Sequence, residues 1–402
     1  MKEAVNSLLL AVLAALILTG CGKAPEPAPS SQPTPSPAST PTPQQPSAQK
    51  PATEQPAAQQ PAATTAGDAD KNLNLFCWSE YVPQEVIAAF TKETGIKVSV
   101  ENYASNEEML AKLLAGGGTY DLIQPSEYVI EGLIKENLLA PLDHAAIPNL
   151  KNLAPEFKDM SYDPGNKFSI PYMAGTVGIV VNTDLVKDDI KSYSDVFQDK
   201  FKKNIVVLDD AREIVSWGFE TLGIPINEAS DENLEKVKPV LEKWLPLVKV
   251  YDSDSPKTAL LNGDVAIGIV WGGEGALLLN EEKKFKWVVP AEGAHLFVDS
   301  LAIPKTAKHV KNAQLFMDFV LRPEISAKIS EAFPYLNPNA AARELLTPEQ
   351  RGNPASFPSA DELARMQTFK DIGEQASKID DLVTSQKAEY YGSRGGSDGG
   401  AS

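Results

Sequence analysis

NLNLFCWSEYVPQEVIAAFTKETGIKVSVENY, residues 72–103, decides the architecture. Leu73 to Trp78 is a mostly apolar run with the pattern of a strand. Pro83 to Thr94 reads as a helix closed by Gly95, and Ile96 to Tyr103 reads as a second strand. Downstream, Ser105 with Glu108 predicts a capping box for a helix that stops at Gly116-Gly117-Gly118. Asp121 to Gln124 is a short strand, and Tyr128 to Glu136 a helix. Further strands are predicted at Asn204–Leu208, Val265–Trp271, Lys286–Val289 and Phe297–Ile303. Helices between them include Glu232–Leu245, Pro256–Leu261 and Ala307–Leu321. Strands separated by helices of this length imply an α/β fold of parallel βαβ units. There is no internal repeat.

The folded unit runs from 72 to 391, about 320 residues. Single cores stop growing near about 250–300 residues, so two lobes are expected. Ahead of it, Leu8 to Leu18 is an apolar run too short to span a bilayer and suited to a signal peptide. Leu18-Thr19-Gly20-Cys21 follows at once and resembles the bacterial lipobox, which makes 1–20 the removed peptide and Cys21 the lipidation site. Lys2 followed by Glu3 is a weak basic start, and ordinary cleavage with an incidental cysteine is the alternative. Residues 21–71 are dominated by Pro, Ala, Gln, Ser and Thr and bury too little to fold. At about 3.1 Å per residue such a tether reaches up to roughly 140 Å from a membrane. Residues 392–402 read as a flexible tail.

The net charge is −17, and residues 1–71 carry four basic and five acidic side chains, so about −16 falls on the folded part. That argues against nucleic acid and anionic lipid as partners. With Cys21 lipidated, Cys77 is alone, has no internal disulfide, and reads as a small buried residue.

Ligands of open parallel sheets bind beyond the carboxyl ends of the strands. Here those ends carry Trp78-Ser79-Glu80-Tyr81, Pro125-Ser126-Glu127-Tyr128, Asp209-Asp210-Ala211-Arg212-Glu213, Trp271-Gly272-Gly273-Glu274 and Phe297-Val298-Asp299-Ser300. Ring faces attract cations and carboxylates hold ammonium groups. Acids after strands also cap helices, and Asp209 or Asp210 fits that role as well. Enzyme chemistry finds little support. His144, His295 and His309 are scattered without metal-ligand spacing and read as surface or cap residues. The glycines at 116–118 lack the Lys-Ser/Thr of a phosphate loop, and no serine sits in a Gly-x-Ser-x-Gly turn. No metal site, cofactor or catalytic residue is expected. Tyr390-Tyr391 resembles the tyrosine pair of ferric-ion receptors but lies beside the tail.

The chain resembles the periplasmic polyamine-binding proteins that serve spermidine and putrescine transporters. The likeness covers nearly all of 72–391. It is carried by Trp78 to Pro83, Phe90 to Val98, Tyr120-Asp121-Leu122, Asp209 to Glu213, Asp299 to Pro304 and Pro338 to Arg343. It implies a type II periplasmic-binding-protein fold: two α/β lobes joined by two crossover segments, with a ligand cleft between them. Lobe 1 would comprise 72–174 and 298–344, and lobe 2 would comprise 175–297 and 345–391. By position, Trp78, Tyr81, Tyr128, Trp271, Phe297 and Tyr335 would wall the cleft. Ser79, Glu80, Ser126, Asp210, Glu213, Ser253 and Asp299 would contact amines or hold groups that do, and Arg212 would orient neighbouring carboxylates. The implied partners are spermidine or putrescine and the transmembrane subunits of an ABC permease, with the protein a monomer held to the extracytoplasmic face by lipid alone. A polyamine sensor, or a receptor for another organic cation, would use the same cleft.

Departures bear on the ligand. Phe297 and Glu274 follow the putrescine pattern, Asp210 with Glu213 follows the spermidine pattern, and Phe369 stands where spermidine receptors place a Gln. Asp210, Glu213, Glu274 and Asp299 together balance a triamine, which leans the reading slightly to spermidine.

Overall fold

A computed structural model describes residues 68–116 and 119–392. The expected signal peptide, Cys21, the linker up to Gly67, Gly117 and Gly118, and residues 393–402 lie outside them. The strands are β1 Asn72–Trp78, β2 Lys97–Tyr103, β3 Leu122–Ile123, β4 Ser169–Asn182, β5 Ile205–Val207, β6 Val250–Tyr251, β7 Ile267–Trp271, β8 Phe285–Val288 and β9 Leu296–Ala302. They form one nine-stranded sheet in the order β2-β1-β3-β9-β4-β7-β5-β6, with β8 beside β4.

The opening βαβ unit forms as its sequence requires. β1 pairs parallel with β2, Leu73 opposite Val98, and with β3, Leu75 opposite Leu122. The helix Gln84–Thr94 buries Val86, Ile87 and Phe90 and ends at Gly95, φ +72°, whose N–H reaches Thr91 O at 2.9 Å. Ser105 caps the next helix, Asn106–Leu114, as expected. The reciprocal bond is displaced: Glu108 accepts from Ala104 N–H at 3.0 Å rather than from Ser105.

The sheet is mixed rather than parallel: β9 pairs antiparallel with β3, and a strand that the sequence pattern did not reveal, β4, runs antiparallel to β7, β8 and β9. β4 is buried along all 14 residues. Its first half pairs antiparallel with β9, Ser169 opposite Ala302 through Thr176 opposite Leu296. Its second half pairs antiparallel with β7 and β8, Val177 opposite Trp271 and Ile179 opposite Val288. One strand thus joins the parallel set β2-β1-β3, through β9, to the parallel set β7-β5-β6. Pro171, Gly175 and Gly178 read locally as strand breakers. Their reason is tertiary: a Cβ on Gly175 would stand 2.5 Å from Phe297 Cζ, and one on Gly178 would stand 2.3 Å from Trp287 Cζ2. The register shift between Pro171 and Met173 absorbs the proline.

Each half has its own core. Leu73, Leu75, Phe90, Ile96, Ile170 and Phe316 pack in one, and Val181, Tyr193, Trp217, Phe219, Leu241 and Trp244 pack in the other. Truncating a large aromatic such as Trp217 to Ala costs about 3–5 kcal/mol. Ile379 and Val383, from the helix Gln375–Gly392, return the chain's end to the second core. Tyr390 belongs to that helix, with Lys203 Nζ 5.0 Å from its ring centre, and Gly392 still belongs to it, so the expected tail loses its first residue. The linker loses its last four. Asp68 accepts from the N–H groups of Lys311 and Asn312 at the start of the helix Val310–Val320, and Asp70 meets His309 at 3.2 Å. Among the described residues no helix is long and apolar enough to cross a membrane.

Candidate functional site

All the predicted site residues line one cleft of about 940 Å³, counting space open to solvent. Trp78 ends β1 and the turn after it supplies Ser79, Glu80 and Tyr81; Ser126 follows β3 and Tyr128 lies in the first turn of the helix Glu127–Lys135. Asp210 and Glu213 open the helix Ala211–Thr221 after β5, and Ser253 follows β6. Trp271 ends β7 and Glu274 lies in the first turn of the next helix. Phe297 and Asp299 alternate along β9, so both face the cleft. Tyr335 reaches in from a later loop.

Asp299 is 2% exposed. Tyr81 Oη donates to its Oδ2 at 2.7 Å and Ser126 Oγ to its Oδ1 at 2.6 Å. Ser126 occupies the N-cap position of the helix Glu127–Lys135, yet its hydroxyl makes no cap bond, being turned to Asp299. Burial pushes the Asp299 carboxyl up to about 7, against the pull of these two donors, and the charge of Glu127 adds to the rise. The rings form a continuous wall: Trp78 and Tyr81 at 6.4 Å between centres, Tyr81 and Tyr335 at 5.5 Å, Tyr335 and Phe297 at 6.0 Å, Phe297 and Trp271 at 5.5 Å. Trp271 Nε1 donates to Ser253 O at 2.9 Å, which fixes the indole. Trp78 Nε1 and Ser253 Oγ are buried without a hydrogen-bond partner among the described residues.

His295 corrects the expectation of a surface or cap residue. It is 4% exposed, with Nδ1 2.6 Å from Glu213 Oε1 and Nε2 3.1 Å from Glu127 Oε1. Burial alone would lower its pKa; the Glu213 charge and the bonds from Glu127 and Glu213 outweigh it and push it up to about 10. It is therefore an imidazolium held between two carboxylates. Glu127 also accepts from the N–H groups of Val298 and Phe369. Glu213 thus has one oxygen committed to His295, while its Oε2 is buried without a hydrogen-bond partner among the described residues. A period of two was the available signal, since His295, Phe297 and Asp299 are alternate residues.

Arg212 also departs from expectation, since it forms no ion pair among the described residues. Its guanidinium lies 4.6 Å from the Tyr128 ring centre and 4.3 Å from that of Phe369, and it donates to Asn227 Oδ1 and Lys370 O. It clamps the segment around Phe369 onto the cleft rather than orienting carboxylates. Phe369 in turn stacks on His295 at 3.8 Å. Asp210 does cap its helix, accepting from Glu213 N–H at 3.0 Å, and Asp209 is paired with Lys387.

Lys257 is the residue that sequence reasoning missed, and it has no local signal beyond following Pro256. Its ammonium bonds Glu274 Oε1 and lies 3.0 Å from Glu80 Oε2. Its backbone N–H donates to Glu274 Oε2 at 3.1 Å. Glu274, expected to offer a carboxylate to an amine, has both oxygens occupied. Ser79 Oγ meanwhile donates to Asp254, a rim residue also absent from the predicted set. Cys77 is buried among apolar neighbours, and desolvation pushes its thiol up to about 12, the behaviour of a packing residue.

The chain matches the model of bacterial extracellular solute-binding proteins over residues 85–358. It is 34% identical over 328 residues to a spermidine/putrescine-binding periplasmic protein of Salmonella typhimurium, covering 81% of this chain and 94% of that one. It is also 34% identical over 340 residues to the putrescine-binding periplasmic protein of Escherichia coli, covering 80% and 91%. Among solved structures, the substrate-binding protein of a spermidine/putrescine ABC transporter from Streptococcus pneumoniae superposes with a TM-score of 0.69. That pair shares 36% identity over 80% of this chain and 99% of the other. With a β4 that joins two half-sheets and a cleft lined from both, the chain belongs to the bacterial extracellular solute-binding proteins, a family of binding proteins and not of enzymes.

Proposed function

We propose that this protein captures a polyamine in the cleft and delivers it to the transmembrane subunits of an ABC importer. The observation that carries the reading is Asp299: a buried carboxylate with no cationic partner among the described residues, ringed by Tyr81, Phe297 and Tyr335. A linear polyamine is a methylene chain between ammonium groups, and needs flat apolar walls with a counter-charge at each cation. The likeness to spermidine/putrescine-binding and putrescine-binding periplasmic proteins supports the same class. In this reading 72–174 with 298–344 form one lobe and 175–297 with 345–391 the other. Ser79 with Asp254 and Glu80 with Lys257 then bridge the two lobes. Ligand would shift the population to the closed form that a permease recognises. Cys21 would carry the lipid that tethers a monomer to the extracytoplasmic face after removal of 1–20.

Titration calorimetry of the purified protein with putrescine, spermidine, spermine, thiamine and ferric citrate tests this. Heat from at least one polyamine and none from the other two is expected. Binding of thiamine or ferric citrate without any polyamine would sink the proposal.

A further inference from the structure

The cleft already contains an ammonium group of its own. Lys257 Nζ is bonded to Glu274 Oε1 and lies 3.0 Å from Glu80 Oε2, and its side chain is 15% exposed. Glu80 reaches it from a backbone with φ +51°, a left-handed conformation that a non-glycine residue keeps only where its surroundings hold it. The contact is built from both sides of the cleft, Glu80 following β1 and Lys257 with Glu274 flanking β7.

The other acids divide sharply by partner. Glu213 shares the His295 imidazolium with Glu127, and Asp209 is paired with Lys387. Asp254 is exposed at the rim and accepts from Ser79. Among the described residues, Asp210 and Asp299 are the cleft acids that are at least partly buried and form no ion pair, although the charges of Arg212 and His295 act on them from farther off. The charge set that balanced a triamine in the sequence therefore loses Glu274, both of whose oxygens are bonded, and keeps Glu213 only through Oε2, since its Oε1 is held by His295; Asp210 and Asp299 remain as the carboxylates that form no ion pair.

We propose that Lys257 is a specificity-determining residue, whose ammonium takes the place beside Glu80 and Glu274 that a third ligand ammonium would need. The inference rests on the polyamine reading and names the ligand within it: a diamine in preference to a triamine. A buried ammonium without its own counter-charge is strongly disfavoured, and like charges brought together repel. A triamine must therefore either expel Lys257 from two carboxylates or place its third cation against it. A diamine meets neither obstacle.

Calorimetry with putrescine and spermidine on wild type, Lys257→Met and Lys257→Arg tests the assignment. Wild type is expected to bind putrescine about tenfold or more tighter than spermidine. Lys257→Met should move that ratio toward spermidine by about tenfold or more, while Lys257→Arg should hold it within about threefold. A wild type that prefers spermidine overturns the inference, and this comparison stands even if Lys257→Met does not fold. So does a Lys257→Met protein that weakens both ligands equally, the outcome of a merely structural role. Where both amines bind and only the ratio fails to move, the polyamine reading survives and the Lys257 assignment alone is lost. Where neither amine binds wild type, both fall.

Discussion

Asp299 and Glu213 are both buried carboxylates lining one cleft, and they differ in what neutralises them. Glu213 faces His295 at 2.6 Å, so a cation of the protein already stands against one of its oxygens. Asp299 has only hydroxyl donors, Tyr81 and Ser126, which steady a negative charge without cancelling it. The first centre ties chain segments together; in the proposed reading the second is completed by a cation from outside. Distance along the chain does not distinguish them, since each is assembled from remote segments. The partner does.

The comparison can be broken first at the paired centre. His295→Ala leaves Glu213 and Glu127 buried without a cation, Glu127 keeping only its backbone N–H donors, and is expected to lower stability by about 3–5 kcal/mol in denaturant titration. A loss below about 1 kcal/mol would mean that the ladder is not a structural tie. At the open centre, Asp299→Asn should weaken putrescine binding by about a hundredfold by calorimetry while leaving the melting temperature unchanged or raised. Its carboxyl is already easily protonated in the free protein, so the neutral amide suits the site.

Trp271→Ala removes one ring face from the wall and should weaken amine binding by more than about tenfold. Cys77→Ser, away from the cleft in the first core, should leave affinity unchanged. Equal affinity in wild type, Asp299→Asn and Trp271→Ala would remove the site assignment even with the family secure.

Acidity gives a further test. The bound cation favours ionised Asp299, and the free carboxyl titrates near 7. Affinity should therefore be about tenfold higher at pH 8 than at pH 6, levelling above, with the same difference absent in Asp299→Asn. Stability of the unliganded protein should run the other way. Asp299 has a raised folded pKa, so its contribution is complete below its unfolded value of about 3.9 and is lost as pH rises through about 7. His295 is raised as well, so its contribution is complete below its unfolded value of about 6.5 and lost as pH rises through about 10. Thermal melts from pH 5 to pH 9 should fall monotonically; a rise would contradict both assignments.

Much of the cleft was legible in the sequence because it is written at strand ends. Trp78 to Tyr81, Ser126 and Trp271 are each local punctuation after an apolar run, and a sheet brings such ends together; Asp299, expected at such an end, lies instead inside β9 and is placed by that strand's pairing with β4. β4 was not legible. Its Pro171, Gly175 and Gly178 signal a break unless the rings of Phe297 and Trp287 that fill the space above them are known. Asp68 was hidden for a similar reason: a residue in a Pro/Ala-rich tether caps a helix that begins more than two hundred residues later.

The amino-acid order by itself determined the α/β alternation, the aromatic and acidic character of the strand ends and the strongly negative folded unit. These depend on local periodicity and composition, which a chain carries whether folded or not. Only the tertiary structure decided which acids are free. Lys257 and His295 lie far in sequence from Glu80 and Glu127, and a charge is available to a ligand only after the fold has settled whether a cation already stands beside it.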